Sequence, residues 1–553
     1  MDPFTIHSTP SCSSSGPSCA DITAGFIRQH PYISILSSFA IICLLTTVWS
    51  TRSFNAPRNN KSKITQPPTI PYMIPGLYHG FGFLINGLAK FFTIILREYG
   101  ERTPFLVRPG PMKFAIVTDA AHIRTVFQAK QMSIRQLHAQ IFGKLFGAPK
   151  SALEVYTKDA SHLPEEQRIE YAHISLPRRY FTGPHLNTLS ERYLADLRHN
   201  LAAVHFKEGN WVAIEDMFSY FQRIITRTMI DVIFGTKFLQ LYPRTIADFW
   251  EFDRNLDTFS AGTPRFMASA AYETRDRLLK NFVEWEDLML KADGVLDDEA
   301  DWNEWGLKFI RARQKAFLSM EGMNAEARAS ENLGILQGSN SNLLPSVFWT
   351  VFEVLRKPSL KTKVTKEIKQ HLASNSNTID ISKLGTIPLL QSLHSEVLRL
   401  RLATATARTV EQTDVQLDDQ YKLTKGTTAF VFSRPLALNH ALWSQARPLT
   451  VSKPLKDFWA ERFLTADGRF SVEGISGCWV PFGGGTHICP GRHFAKNVAL
   501  STLALLLGEN EVELVDWSVL DEVLPEEEGL AMGFIRPKVD VPVRLRKRKG
   551  FIQ

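Results

Sequence analysis

One cysteine in a glycine-rich loop is the residue best suited to chemistry in this 553-residue chain. Cys489 lies in the segment PFGGGTHICPGRHFAK, after three consecutive glycines, and the Ala- and Leu-rich run Phe494–Leu507 that follows is predicted to be a helix. Glycines let a backbone approach a flat ligand closely. Free N–H groups and the dipole at a helix N-terminus favour a thiolate over a thiol. Such a thiolate suits the axial position on haem iron.

The spacing around this cysteine resembles the haem-binding loop of the cytochrome P450 family, in which Phe, Gly, the ligand Cys and a further Gly recur at fixed offsets. Here these positions are Phe482, Gly485, Cys489 and Gly491, and the resemblance assigns them to haem binding, with Cys489 as the metal ligand. The family's basic residue two positions before the Cys is His487 instead of Arg. The alternative is a buried Cys in a glycine-rich turn, but such a turn would not require all four of these residues at these offsets.

A second motif lies on the predicted helix PLLQSLHSEVLRLRL. Glu396 and Arg399 are three residues apart, so they share one helix face and can pair. The helix is mostly apolar, so the pair is predicted to be buried and to need further hydrogen-bonding partners. With Arg462, the pair resembles the family's Glu-Arg-Arg network that supports the core beneath the haem, although Ala460 replaces the usual Pro.

Two more arginines are candidates for binding the haem propionates. Arg408, in ATARTV, matches a position that often contacts a propionate in the family; the alternative is an ordinary exposed Arg. The segment HISLPRRYF matches the family's Trp-x-x-x-Arg pattern poorly, because Ile174 stands where Trp is usual. Arg178 is therefore a weaker candidate.

A Gly/Ser/Asn cluster interrupts the apolar helical pattern Glu331–Arg356. Such residues cost helix stability, and Pro345 provides no N–H for the carbonyl of Ser341. A helix opened there would leave backbone groups free for water and dioxygen; the alternative is a loop between two helices. Where the family usually has an acid and then a Thr, this chain has Ser341 and Asn342, which we predict to be catalytic. An Asn amide both donates and accepts, so it could organise water that delivers protons.

The run NSNLLPSVFW within this pattern resembles the branch of the family that contains sterol 7α-hydroxylases and prostacyclin synthase.

Near the N-terminus, residues 31–51 carry no charge over the length needed to cross a membrane as a helix. A cleaved signal peptide is the alternative, but the run starts late and no clear small-residue cleavage site follows it. Basic residues cluster after the run, which predicts that the main body faces the cytoplasm. We expect a lumenal segment over 1–30, an anchor over 31–51 and a basic, proline-rich hinge over 52–75.

Helical patterns dominate residues 76–553, for example Met217–Phe234, and short β-like pieces occur near Phe105–Val117 and Ala429–Phe432. The chain carries a net charge of +8, but no zinc-finger spacing or basic stripe with interleaved aromatics indicates nucleic-acid binding. Five cysteines do not form a disulfide framework. The sequence therefore predicts one large, mainly α domain with minor β that follows a transmembrane helix, and the resemblance implies that this domain has the single triangular cytochrome P450 fold.

The resemblance implies a monooxygenase with haem b, which inserts one oxygen atom of O2 into a lipophilic small molecule such as a terpenoid or steroid. We find no dinucleotide-binding fingerprint, so electrons are expected from a separate membrane-bound NADPH reductase, with cytochrome b5 as a further candidate partner. The expected location is the endoplasmic reticulum membrane. Two alternatives stay open: a haem-thiolate isomerase or dehydratase that needs no reductase, and a haem- or lipid-binding membrane protein without turnover.

Overall fold

The fold is described by a computed structural model over residues 31–56, 64–202, 209–524 and 533–548. The predicted lumenal segment 1–30 lies outside these residues. The predicted mainly helical fold with minor sheet is confirmed. The helices are α1 (Pro31–Asn55), α2 (Gly80–Tyr99), α3 (Ala120–Gln128), α4 (Arg135–Lys144), α5 (Lys150–Thr157), α6 (Leu176–Tyr180), α7 (Gly183–Ala202), α8 (Met217–Phe234), α9 (Thr236–Leu241), α10 (Thr245–Arg254), α11 (Leu256–Ser260), α12 (Ser269–Lys291), α13 (Lys308–Leu318), α14 (Ala325–Asn340), α15 (Leu343–Leu355), α16 (Pro358–Ser374), α17 (Ile381–Leu384), α18 (Pro388–Arg401), α19 (Ser433–Leu438), α20 (His440–Ala446), α21 (Arg492–Ala504) and α22 (Leu520–Val523).

The strands form small sheets beside this helical body. They are β1 (Phe105–Val107), β2 (Lys113–Ile116), β3 (Met132–Ser133), β4 (Val212–Ile214), β5 (Trp302–Asn303), β6 (Gly306–Leu307), β7 (Ala405–Val410), β8 (Val415–Gln416), β9 (Lys422–Leu423), β10 (Thr427–Phe432), β11 (Asn510–Leu514) and β12 (Val543–Lys547). The largest sheet has the order β1-β2-β10-β7-β3, in which β2 and β10 run parallel and the other pairs antiparallel. A second sheet has the order β11-β12-β4.

Helix α1 is long and apolar enough to cross a membrane, with a mean hydropathy of 2.0, and most of its surface is exposed. Its end touches the rest of the chain, since the Ser50 hydroxyl donates to the carbonyl of Tyr72 over 3.0 Å. The amide of Tyr72 in turn donates to the Ser50 oxygen over 3.1 Å. Phe54 meets Tyr99 edge to face, with ring centroids 5.5 Å apart. These contacts tie α1 to the catalytic body.

The start of the predicted hinge, residues 52–55, continues helix α1, whereas its other described part, residues 64–75, is extended and hydrogen-bonded. Ile70 donates to the carbonyl of Leu106 over 3.0 Å, and Leu106 donates to Pro68 over 2.7 Å. Proline-rich chain cannot enter a helix and has few N–H groups to offer, so it lies along a strand edge.

Helix α15 is the centre of the main hydrophobic core, and all thirteen of its residues are buried. It packs against α8, α16, α18 and α21. A helix that is hydrophobic on every side must be surrounded by other elements, and the sequence of α15, LLPSVFWTVFEVL, has this character. The core therefore holds α14, α18 and α21 in fixed positions relative to one another.

Candidate active site

The cysteine loop is closed by its own backbone just before α21. The amide of Cys489 donates to the carbonyl of Phe482 over 3.0 Å, and the amide of Ile488 donates to Gly485 over 3.3 Å. Gly483 and Gly485 both have φ of +69°, a conformation that other residues rarely adopt. Helix α21 begins at Arg492, directly after Gly491.

The glycines also let the loop pack on the end of α3. A Cβ atom added to Gly484 would overlap the ring of Phe127, and one added to Gly485 would overlap the carbonyl oxygen of Phe127. Any side chain at these two positions would therefore push the loop away from α3. Gly484 has no positive φ, so this close approach to Phe127 is the reason that position 484 is a glycine.

The sulfur of Cys489 lies at the N-terminus of α21. Burial raises the pKa of the Cys489 thiol, while the backbone N–H groups of Gly491 and Arg492 and the Arg492 charge act in the opposite direction. The helix end therefore only partly offsets the cost of removing a thiolate from water. A bound metal cation removes the proton from a coordinating thiol. The site is therefore suited to a Cys489 thiolate whose negative charge is balanced by a bound cation.

A cavity of about 670 Å³ lies beside the loop, a volume typical of ligand sites. Its lining includes Phe127, Ile174, Arg178, Arg408, His487 and Ile488. The structure therefore places Arg178, Arg408 and His487 around one space, although they come from three distant parts of the sequence.

Four arginines line the cavity: Arg135 and Arg313 pair with Glu170 and Glu331, whereas Arg178 and Arg408 have no acidic partner among the described residues. Arg408 is buried, and its guanidinium donates to the carbonyls of Ala407 at 2.8 Å and Gly484 at 3.1 Å. Burial lowers the pKa of Arg408 to about 10. Among the residues that the structure describes, no carboxylate oxygen lies within 4.0 Å of Arg408 or Arg178. A buried guanidinium without a counter-ion is costly, which indicates that the cavity receives an anionic group.

His487 adds a neutral group to this end of the cavity. Burial, together with the charges of Arg408 and Arg178, lowers the pKa of His487 to about 4. The imidazole therefore acts as a hydrogen-bond donor at neutral pH and brings no positive charge of its own.

The opposite wall comes from α14. Gly334 and Ile335 line the cavity, and a Cβ atom added to Gly338, one turn later, would meet nothing within 4 Å. A helix face without side chains leaves room for a flat ligand. The residues present therefore fit haem: Cys489 would bind the iron, and Arg178, Arg408 and His487 would bind the two carboxylates of its propionates.

Glu396, Arg399 and Arg462 form one buried network. Glu396 accepts from Arg399 at 2.7 and 2.9 Å and from Arg462 at 2.9 Å. The remaining N–H groups of Arg462 reach backbone carbonyls, including that of Asp457 at 2.8 Å. All three side chains are fully buried, so the network needs these additional partners to offset desolvation. It joins α18 to the segment that precedes the cysteine loop.

Ser341 and Asn342 lie between α14 and α15. Both keep right-handed helical angles, and the amide of Ser346 still reaches the carbonyl of Asn342 at 3.3 Å. The interruption is therefore a local opening between two helices and not an extended loop. The amide oxygen of Asn342 accepts a hydrogen bond from the backbone N–H of Phe534 over 3.0 Å. Sequence reasoning did not predict this contact with the C-terminal segment.

A buried polar cluster on the cavity wall was also missed. Glu331 accepts from the Tyr156 hydroxyl at 2.6 Å and from His173 at 3.0 Å. Arg313 donates to the same carboxylate at 2.8 Å. Burial raises the pKa of Glu331, but His173 and Arg313 outweigh it and lower the pKa to about 2. The partners come from separate segments, so no spacing in the sequence indicates them.

The same cluster has the residue types of a metal site. Ligand atoms of His138, His173 and Glu331 all lie within 4.8 Å of one another. However, the Arg313 guanidinium already neutralises the carboxylate, and a cation would have to displace it. Charge therefore disfavours a metal ion at this position.

The chain is similar to known proteins over most of its length. The sequence model of the family described as Cytochrome P450 matches residues 66–539 of the chain. A cytochrome P450 monooxygenase of Humicola fuscoatra is 28% identical over 533 residues, which cover 89% of this chain and 90% of the relative. A cytochrome P450 monooxygenase of Hormonema carpetanum is 28% identical over 544 residues, 92% of this chain and 94% of the relative. Cholesterol 7-alpha-monooxygenase of Cricetulus griseus is 25% identical over 390 residues, 66% of this chain and 73% of the relative.

Proposed function

Since the chain belongs to the cytochrome P450 family, whose relatives are named monooxygenases, we propose that it hydroxylates a lipophilic terpenoid or steroid in the endoplasmic reticulum membrane, with electrons from a separate NADPH reductase. The observation that carries this proposal is the cavity beside the cysteine loop, which Ile488 and Pro490 line on either side of Cys489, together with Arg178 and Arg408, which have no acidic partner among the described residues. A thiolate and an anion-binding pair are what a haem with two propionates requires.

When bound, haem supplies the activation of O2 and the transfer of one oxygen atom, which side chains cannot perform. The chain's own residues hold and orient it. Cys489 provides the negative sulfur ligand, and Arg178 and Arg408 fix the propionate edge. Glu396, Arg399 and Arg462 keep the cysteine loop at a constant distance from α18. The helix opening at Ser341 leaves room for water beside the cavity.

Three observations support a lipophilic substrate. The cavity lining is mostly apolar, the chain has 37 Phe residues, and α1 would place the active site beside a membrane. The relative from Cricetulus griseus is named for a sterol, cholesterol. We therefore take the substrate to be a terpenoid or steroid, in a secondary metabolic pathway.

Thiolate ligation is tested by the carbon monoxide difference spectrum of reduced membranes that contain the full chain. We expect a red-shifted Soret band, which the Cys489→Ala variant loses. Cys478→Ala is the matched control, because Cys478 is buried in the same part of the chain and has no assigned role. A band typical of histidine-ligated haem in the unsubstituted protein would disprove the assignment.

The reaction type is tested by adding a purified NADPH-cytochrome P450 reductase, with and without cytochrome b5, and cholesterol or a plant triterpene as the probe. A product that gains one oxygen atom from labelled O2, only when NADPH is present, supports a monooxygenase. The replacement of the usual Thr by Asn342 favours a second candidate, a reductase-independent isomerase or dehydratase. An isomerised or dehydrated product that forms from an oxygenated probe without NADPH, and that gains no oxygen atom, would support that candidate instead.

The orientation of the chain across the membrane is tested by introducing glycosylation sites on either side of α1. An Asn-X-Thr acceptor placed before residue 30 should be glycosylated, whereas an acceptor placed after the last strand should not, because the basic flank after α1 favours a cytoplasmic body. The reverse pattern would overturn the orientation. Recovery of the full-length protein in the soluble fraction, or cleavage of α1 by the expressing cell, would overturn the anchor.

A further inference from the structure

The side chain of Asn342 faces the C-terminal segment in one defined orientation. The backbone N–H of Phe534 donates to Oδ1 of Asn342 over 3.0 Å. A backbone N–H can only donate, so the atom that faces it must be the amide oxygen, and the NH2 group points away. One of the two lone pairs of the oxygen that a proton relay would need is therefore already used by the protein, and the oxygen is held in a fixed direction.

The segment Gly533–Ile535 is fastened on two further sides. The amide of Ala403 donates to the carbonyl of Gly533 over 2.8 Å, and the amide of Ile535 donates to Arg401 over 2.9 Å. The indole N–H of Trp349 donates to the carbonyl of Ile535 over 2.6 Å. The segment thus joins the end of α18, the middle of α15 and the opening after α14.

Gly533 is required by the close approach of its backbone to Asn342. A Cβ atom on this buried glycine would lie 2.6 Å from Oδ1 of Asn342, well inside van der Waals contact. Any other residue at position 533 would push the Asn342 amide away from the Phe534 N–H. The two positions therefore fit each other.

Asn342 also ends the face of α14 that borders the cavity. Gly334, Gly338 and Asn342 are four residues apart, so they lie on one helix face. Gly334 lines the cavity and Gly338 faces open space. The clamp between Asn342 and Phe534 is therefore placed where the C-terminal segment meets the ligand side of the helix.

We propose that Asn342 is a positioning residue that clamps the segment Gly533–Ile535 against the helix opening and so sets the shape of the substrate site, while its amide oxygen takes no part in proton transfer. This rests on the proposed function, because only a haem-loaded enzyme has a substrate site to shape. The Nδ2 group remains as a donor that can face substrate or water.

The clamp itself is tested by amide hydrogen exchange of the full-length protein, measured in the peptide that contains Phe534. Asn342→Ala and Gly533→Ala should each raise the exchange rate of the Phe534 amide by about tenfold, because the first removes the acceptor and the second pushes it away. Asn342→Asp keeps an acceptor oxygen and should change the rate less than about threefold. Gly100→Ala is the control, since a Cβ atom there would meet nothing.

The effect on the substrate site is tested with 4-phenylimidazole and clotrimazole as small and bulky haem ligands. The ratio of their Kd values should change in Asn342→Ala and Gly533→Ala but not in Asn342→Asp, while the carbon monoxide band keeps its area in all three. The double variant should resemble either single one, because the two positions act as a unit.

The relay alternative predicts the opposite pattern. In that case Gly533→Ala would leave the Kd ratio unchanged although the Phe534 amide exchanges faster, and Asn342→Asp and Asn342→Ala would both raise NADPH consumption that yields peroxide instead of product. That pattern would overturn the proposal. Failure of the proposed function is separate, since it would appear as a missing carbon monoxide band in the unsubstituted protein.

Discussion

Arg178 donates a hydrogen bond of 2.7 Å from Nη2 to the carbonyl oxygen of Thr486. This bond joins helix α6 to the cysteine loop three residues before Cys489. It also holds the guanidinium at the wall of the cavity, where its other N–H groups remain available. A weak match to the family pattern thus corresponds to a direct contact between two parts of the site.

We expect Arg178→Ala to release haem about tenfold faster, because one charged hydrogen-bond donor to a carboxylate is lost. The rate is measured as haem transfer to apomyoglobin. Arg179→Ala is the matched control, since Arg179 is also exposed on α6 but does not line the cavity. Equal rates in the two variants would contradict the role of Arg178.

Arg408→Met should affect the apoprotein and the haem-loaded protein in opposite directions. The substitution removes a buried charge that has no counter-ion, so the apoprotein should unfold at the same denaturant concentration or a higher one. Haem should dissociate at least about tenfold faster, because the cation for one propionate is gone. Arg254→Met, at an exposed arginine, should change neither quantity. A less stable apoprotein that retains haem normally would refute this assignment.

Glu396→Ala should destabilise the protein by about 3–5 kcal/mol, because it leaves two buried guanidinium groups without their carboxylate. Little haem-loaded protein should accumulate at 37 °C. Glu461→Ala is the comparison: it breaks the ion pair with the exposed Lys363, which is worth less than about 1 kcal/mol. Thermal unfolding, followed by circular dichroism, measures both. A small effect of Glu396→Ala would mean that the network is not important for stability.

His138 makes stability depend on pH. Burial, together with the nearby His173, lowers the pKa of His138 to about 3. The unfolded chain takes up this proton as the pH falls below the ordinary value of about 6.5, whereas the folded chain does not, so folded stability is lost from pH 6.5 downward.

His138→Phe should remove this loss while the ring still stacks on Phe142, 4.2 Å away. Relative to the unsubstituted protein, the variant should gain up to about 2 kcal/mol between pH 7.5 and pH 5. The gain is read from the difference in Tm at the two pH values. His440→Phe, at an exposed histidine, should show no such difference. An equal shift in both variants would point to a general effect of histidine removal.

The sequence alone determined the family, the mainly helical fold, the long apolar helix α1 and the cysteine loop. These features depend on contiguous residues, because periodicity and local spacing are properties of short segments. The predicted boundaries of α8 matched, while α1 extends to Asn55, four residues beyond the predicted span, since a helix continues through charged residues once they reach solvent.

Only the tertiary structure decided which distant residues meet. The partners of Glu331 come from α5, α13 and the turn before α6, and the partner of Asn342 comes from Gly533–Phe534 near the other end of the chain. The absence of a counter-ion for Arg408 is likewise visible only when its surroundings are assembled. Such contacts form when the whole core packs around α15. Packing brings together residues that are far apart in the chain, and local patterns in one sequence do not indicate which residues these are.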